Sequence, residues 1–436
     1  MAPPYDIISD LAQDRYYNNH EYNIVRLIFG KELPSDRRDE NRYTRAADYF
    51  NTWLRGGILK QDPEFSIYLY SQDYLFKGGR KRRSGFIALV RLEDFDSRTI
   101  LSHEETLPGP KADRFRLVAA CQANFSSIFA LYSDPRGAIE RYLAKARRPL
   151  ADLVYEDGVR HTLWAITDGA TIDRIAELMA LKEVFIADGH HRYEAALNFR
   201  NLRREQFGRY TGTESYNYTM VYFSNVDDPG ITILPTHRLV RNLPGSNMAE
   251  LNERLGEFFE IEAFEFGSLR QEQRQRKKIF EEMAARRRPA SPVKRGERGS
   301  PKATSTPRDH LFGMYSGSNR YYLLALKDEQ ILDKVGDLNR SCQYRRLDTA
   351  ILHSLILDRI LGLGERLSED DMVYTQDVDD AIQLVREGDW QIAFFLNPPR
   401  MSQVRDIALS GELMPSKSTY FYPKLLSGLV INRISD

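Results

Sequence analysis

Residues 184–199 read VFIADGHHRYEAALNF, an apolar run that ends in Asp188-Gly189 and passes at once into a helical pattern with Ala195, Ala196 and Phe199 on its inner side. A strand-turn-helix junction of this kind suits phosphate. Glycine lets the backbone approach a ligand, the first amides of the helix point outward without a partner, and the helix dipole favours negative charge at that end. His190, His191 and Arg192 add side chains able to donate to phosphate oxygens. The plainer alternative has Asp188 capping the helix and the histidines lying on the surface. A metal centre fits less well, because neighbouring side chains on a helix diverge by about 100° and adjacent histidines cannot easily share one ion.

Three other segments carry reactive side chains. LSHEETLPGPKADRFRL puts His103, Glu104, Glu105 and Thr106 on a loop, then Lys111, Asp113 and Arg114 at a helix start. A carboxylate beside histidine on a loop is a natural general base, and a polar surface loop is the alternative. LPTHRLV places Thr236, His237 and Arg238 at the end of a β run, where loops often carry binding groups. GELMPSKSTYFYPKLLSG holds Lys417, Ser418, Thr419 and Lys424 among prolines and aromatics. Lys-Ser-Thr is like the end of a Walker A motif, but the glycine spacing before it is absent, so this is not a P-loop. Donors packed among Tyr420, Phe421 and Tyr422 suit a phosphate or a nucleobase. The basic stretch Lys77 to Arg83 and the arginines near Pro289 read as solvated loops, since no stacking aromatics are interleaved with them.

The elements that must position these residues are legible in outline. Tyr43, Ala46, Ala47, Phe50, Trp53 and Leu54 recur at helical spacing up to a stop at Gly56-Gly57. SIYLYSQ and SGFIALVRL then read as two antiparallel strands joined by the basic tip KGGRKRR. SSIFALY, HTLWAIT, VFIAD, YTMVYF and ITILPTH are further strand candidates, separated by helical stretches such as TIDRIAELMAL and HRYEAALNFRNLRREQ. A long helical pattern from Asn247 to about Ala285 leads into 286–308, rich in proline, glycine, serine and cations, which reads as a disordered insertion dispensable for activity. Beyond it come a hairpin turning at Gly317 to Asn319, helices, and the strand candidates WQIAFFLN and SGLVINRI. The expected fold class is mixed α/β (α+β), as an N-terminal domain over 1–242 and a C-terminal domain over 243–436.

Composition sets limits on function. Sixty-two basic residues balance sixty-two acidic ones, so no specific nucleic-acid binding is expected. No apolar stretch approaches the length of a membrane span and the start MAPPYDII has no signal-peptide pattern, so the expected location is cytoplasmic and no membrane partner is expected. Cys121 and Cys342 are far apart and suggest neither a disulfide framework nor a cysteine metal site.

PPYDII, NIVRL, SHEET, DRFRL, ANFSSIFALY, FIADGHHRYEAAL, ILPTHR and MPSKSTYFYPKLLSGL, in this order over nearly the whole chain, resemble a bacterial and archaeal family known as domain of unknown function 1015. The DGHHR turn is also similar to the turn of the ParB and sulfiredoxin superfamily, in which glycine, a variable residue, a basic residue or histidine, and arginine open a helix. In that superfamily the turn holds nucleotide phosphates, and some members phosphorylate free L-serine. The family's association with serine-biosynthesis genes implies the same substrate. Relatives carry an additional N-terminal strand, whereas this chain begins almost directly at PPYD; the basic segment 286–308 reads as an insertion.

The resemblance implies a ParB/sulfiredoxin-like core and an ATP-dependent (or ADP-dependent) kinase with Mg2+ that converts L-serine, or a similar hydroxy amino acid, to its phosphate ester. Glu104 is then the base, with Asp188 and His191 beside it as catalytic groups. Gly189, His190, His191 and Arg192 cradle the phosphates, with His237, Arg238, Lys417, Ser418 and Thr419 closing the nucleotide site. His103, Thr106 and Arg114 fall to the acceptor, and no residue is assigned as a standing metal ligand. A homodimer is compatible with this reading. Two rivals are a non-catalytic, ParB-like nucleotide-binding regulator using the same cradle, and a metal-dependent hydrolase using His103, Glu104, Asp188 and the histidine pair.

Overall fold

The computed structural model describes residues 1–243, 248–287, 309–335, 337–364 and 369–435. They form a mixed α+β protein, as expected. Two compact units are present: Met1–Thr232 together with Phe421–Asp436, and Ile233–Tyr420. The first unit thus stops before the boundary read at 242/243 and takes back the C-terminal segment.

In unit 1, three helices, Asp10–Asn19 (α1), Val25–Ile28 (α2) and Arg42–Arg55 (α3), precede the main sheet. Asn41 and Thr44 form a capping box at the start of α3, and Ala46, Phe50 and Trp53 are its buried stripe. The strands come in the order Ile67–Phe76 (β1), Gly79–Arg91 (β2), Ile100–Leu101 (β3), Ala123–Asn124 (β4), Ile128–Tyr132 (β5), Ala151–Val154 (β6), Arg160–Ile166 (β7), Val184–Asp188 (β8) and Tyr218–Asn225 (β9). Pro108–Cys121 (α4), Ala138–Leu143 (α5), Gly169–Met179 (α6) and His190–Phe207 (α7) connect them. The eight-stranded sheet has the order β3-β8-β5-β9-β2-β1-β7-β6. β3 with β8 and β5 with β9 run parallel; the other neighbours are antiparallel. One face buries a cluster that includes Phe86, Ile128, Ile186, Tyr193 and Val221. A second cluster, with Phe50, Trp53, Leu117 and Phe125, joins α3 to α4, and α4 packs against α7.

The β1–β2 hairpin corrects one expectation. Its turn is only Lys77-Gly78, both at positive φ (49° and 79°), which suits a two-residue connection. Arg80 to Arg83 are therefore strand residues, and Arg83 is fully buried instead of solvated. The candidate SGLVINRI reduces to a short strand, Asn432–Arg433, paired with β4 inside unit 1.

Unit 2 is built on an antiparallel six-stranded sheet, in the order Phe259–Glu265, Arg320–Leu326, Leu311–Tyr315, Ile392–Leu396, His237–Val240, Met372–Thr375. Its faces bury separate clusters, so the successive residues Leu239 and Val240 fall into different ones. The helical pattern expected from Asn247 to Ala285 is two helices, Met248–Phe258 and Leu269–Arg286, split by the strand Phe259–Glu265. FEIEAFE alternates, and its pairing with Arg320–Leu326 overrides the helix preference of its glutamates and alanine. Of the segment 286–308, Arg286 closes the second helix in ion pairs with Glu262 and Glu282, and Arg287 donates to the Pro398 carbonyl; 288–308 lie outside the described residues. Among the described residues no helix is long and apolar enough to cross a membrane.

Candidate functional site

The carboxyl end of β8 delivers Asp188, and Gly189 turns the chain into α7 with φ at 93°. A Cβ on Gly189 would also lie 2.8 Å from the Arg192 guanidinium, so the positive φ favours glycine and any other residue would have to shift the arginine. No side chain caps α7. Asp188 is therefore not the helix cap; it accepts from Lys424 Nζ at 3.0 Å on one oxygen and from Arg192 Nη2 at 3.1 Å on the other. Burial alone would raise its pKa, but Lys424 and Arg192 outweigh it and hold the carboxyl well below the usual range. Two cations thus face one carboxylate beside a helix N-terminus that no side chain caps. Arg192 is fixed further by donating to the Ser127 carbonyl.

The histidines contribute differently from free surface cations. His190 is buried, packed edge to face on His103 with centroids 4.8 Å apart, and burial keeps its pKa well below the ordinary value. His103 donates from Nδ1 to the Ile186 carbonyl at 2.7 Å, and burial lowers its pKa to about 4. Both rings are neutral near pH 7 and can offer hydrogen bonds but not charge. His191 Nε2 accepts from the Leu107 N–H at 2.9 Å, which ties the loop after β3 to the first turn of α7. The same loop is tied again by Thr106, whose hydroxyl donates to Glu194 at 2.8 Å, and by Lys111, which pairs with the other Glu194 oxygen at 2.9 Å. Glu104 lies half-buried on this loop, next to His103.

Arg114, from α4, pairs with Asp113, donates to the Ile28 carbonyl at 2.8 Å and lies 3.7 Å over the Tyr5 ring. Arg42 and Tyr43 hold the same Asp113 at 2.8 and 2.7 Å. Arg114 and Arg192 line one cavity of about 50 Å³ with Asn124, Ser126 and Thr219, room for a few waters.

Unit 1 therefore brings His103, Thr106, Arg114, Asp188, Gly189, His190, His191 and Arg192 into one neighbourhood around the start of α7. His237, Arg238, Lys417, Ser418 and Thr419 belong to unit 2. There Arg238 donates to the carbonyls of Thr236 at 2.6 Å and Lys417 at 3.3 Å, and Ser418 donates to the Pro415 carbonyl at 2.6 Å. Lys424 is the group that sequence reasoning undervalued. It stands in the same aromatic segment as Lys417, and nothing in the sequence marks it as the partner of Asp188. Among the described residues no three His, Cys, Asp or Glu side chains come together as a metal-ligand set.

Fold and site together define a mixed α+β protein with a cation-rich, uncapped helix end. Residues 1–350 match the family described as "Protein of unknown function (DUF1015)", and the chain belongs to that family. No protein of curated function matches it. Solved structures with some likeness include a conserved hypothetical protein from Pyrococcus furiosus, 13% identical, covering 78% of this chain and 93% of that one at a TM-score of 0.33. Another is a free serine kinase mutant in complex with ADP, 12% identical, covering 77% and 87% at 0.34. A third is SbnI with a C-terminal truncation from Staphylococcus aureus, 12% identical, covering 78% and 85% at 0.32. Likeness of this degree does not establish a shared fold.

Proposed function

We propose that this chain is an ATP-dependent phosphotransferase acting on a small hydroxy amino acid, L-serine first, with O-phospho-L-serine and ADP as products. The observation that carries the reading is the start of α7, which no side chain caps and where Arg192 and Lys424 both reach the carboxylate of Asp188. The sequence resemblance of the DGHHR turn to phosphate-holding turns supports it, and the reading rests on unit 1 alone.

In this reading the phosphate oxygens accept from the first amides of α7, and Arg192 and Lys424 offset the charge that develops on the transferred group. Mg2+, when bound with the nucleotide, would neutralise part of the phosphate charge. A serine hydroxyl barely ionises at neutral pH, so Glu104 takes its proton as the serine oxygen bonds to the γ-phosphorus and the bond to the β,γ-bridging oxygen breaks. Asp188, held ionised by two cations, is a poor proton acceptor and instead orients them. Arg114 and Thr106 fall to the acceptor amino acid, the guanidinium suiting its carboxylate.

The test is purified protein with ATP, Mg2+ and pooled amino acids, monitored by phosphorus NMR. A new phosphomonoester signal appearing with ADP is expected. Nucleotide binding without any phosphorylated amino acid would overturn the reading in favour of a regulator.

A further inference from the structure

Gln72 and Arg83 are a buried polar pair inside the main sheet of unit 1. They are direct cross-strand partners on β1 and β2, and both are fully buried. Among the described residues Arg83 makes no ion pair, so a buried cation is held by neutral groups alone, which calls for a reason. Its guanidinium donates to the Gln72 side-chain oxygen and to the Pro423 carbonyl, and lies 4.7 Å over the Phe129 ring. Gln72, with its oxygen taken by Arg83, donates from Nε2 to the Lys424 carbonyl at 2.8 Å. Two consecutive carbonyls, those of Pro423 and Lys424, are therefore gripped by one cross-strand pair. The residue so fixed is the one whose ammonium meets Asp188.

We infer that Gln72 and Arg83 are positioning residues: they clamp the backbone at Pro423–Lys424 so that the Lys424 ammonium is held at the phosphate end of α7. The inference rests on the phosphotransfer reading for its purpose, while the clamp itself stands on the hydrogen bonds. A lysine on a four-carbon stem loses precision unless its backbone is fixed, and small misplacements of a charge-stabilising group cost rate steeply. The chemistry of the clamp also explains the choice of residues. Gln72 must accept from Arg83 and donate to Lys424 at once, which an amide does and a carboxylate does not.

Gln72→Glu separates positioning from mere packing. It keeps the shape and strengthens the pairing with Arg83, but loses the donor and sets a carboxylate against the Lys424 carbonyl. The expected result is a melting temperature within a few degrees of wild type, with kcat lower by about tenfold or more. The activity-independent readout is the rate at which N-hydroxysuccinimidyl acetate acylates Lys424 against the exposed Lys60, measured by peptide mass spectrometry. That rate should rise several-fold in the variant as the ammonium leaves Asp188. In a Lys424→Met background, Gln72→Glu should cost no further activity. Should Gln72→Glu fail to fold, Gln72→Met carries the same measurements.

Unchanged Lys424 labelling in a folded variant would overturn the clamp, and faster labelling with wild-type turnover would overturn its bearing on the reaction. If wild-type protein phosphorylates nothing, the function falls, and the labelling still decides whether Gln72 holds Lys424.

Discussion

Both units place a buried histidine near an arginine beside a strand, and they use the two residue types differently. In unit 1, His190 and Arg192 open α7, and Arg192 meets the carboxylate of Asp188. In unit 2, His237 and Arg238 begin a strand, and Arg238 spends its guanidinium on two carbonyls while lying 5.6 Å from the Tyr374 ring. In both places the imidazole Nε2 is buried without a hydrogen-bond partner, and burial lowers the ring pKa. The backbone conformation just after each histidine separates them. A helix leaves its first amides free and lends them a dipole, whereas the strand His237–Val240 lies between two paired neighbours. In the proposed reading the anion site is made by the helix end, and the same two residue types on a strand do not make one.

That contrast can be broken by mutation. The largest effect is expected at the loop joined to α7: Glu104→Gln removes proton acceptance while keeping shape, so kcat should fall by about 10²–10⁴-fold with little change in ATP affinity. Near-normal turnover would move the base elsewhere, with Glu105 next in line.

Matched arginine variants sharpen the comparison directly. Arg192→Ala should weaken ATP binding by about 1.5–3 kcal/mol, roughly ten- to a hundred-fold, by calorimetry. Arg238→Ala should leave the dissociation constant within about twofold and lower the melting temperature instead, because it strips donors from buried carbonyls. Equal losses of affinity in the two variants would erase the distinction.

A backbone test comes next. Gly189→Ala forces a side chain into a left-handed conformation and against Arg192, so it should cost of order 1–3 kcal/mol of stability and displace the arginine. A variant as stable as wild type with unchanged ATP affinity would show that the tight turn is not needed.

An effect small for each ring is shared by both units. His103, His161 and His237 have folded pKa values lowered to about 4 by burial. Between pH 6.5 and 4 the unfolded chain therefore binds protons that the folded chain does not, and stability falls as pH drops through that window. At pH 5 each buried ring should contribute a loss of about 1–2 kcal/mol relative to pH 7. Thermal melts at the two pH values measure it, and an unchanged or higher melting temperature at pH 5 would contradict neutral burial.

Much of this was legible because periodicity is a local property. The capped helix ending at Arg55, the β1–β2 hairpin and the junction of β8 with α7 all arise from spacing and glycine placement. The features that stayed hidden depended on partners far away in sequence. RKRRS reads as a solvated tip, yet Arg83 faces the interior because β2 continues past Lys81 and receives carbonyls from residues beyond 420. The strand Phe259–Glu265 was hidden in the same way, since only its pairing distinguishes it from the helices on either side. At the site, DGHHR read as a turn suited to phosphate, but no sequence pattern told that Asp188 would be shared by Arg192 and Lys424.

The return of the C-terminal segment to unit 1 has a consequence for synthesis. A ribosome releases β1, β2 and α7 well before Pro423 and Lys424, so while unit 2 is being made the nascent sheet holds Gln72 and Arg83 without the carbonyls that will occupy them. Vectorial folding can assemble the strands in order, but this part of the interior waits until Pro423 and Lys424 have been made. Any nascent chain stalled between Tyr420 and Lys424 leaves Gln72 and Arg83 without these carbonyl partners in the middle of its sheet.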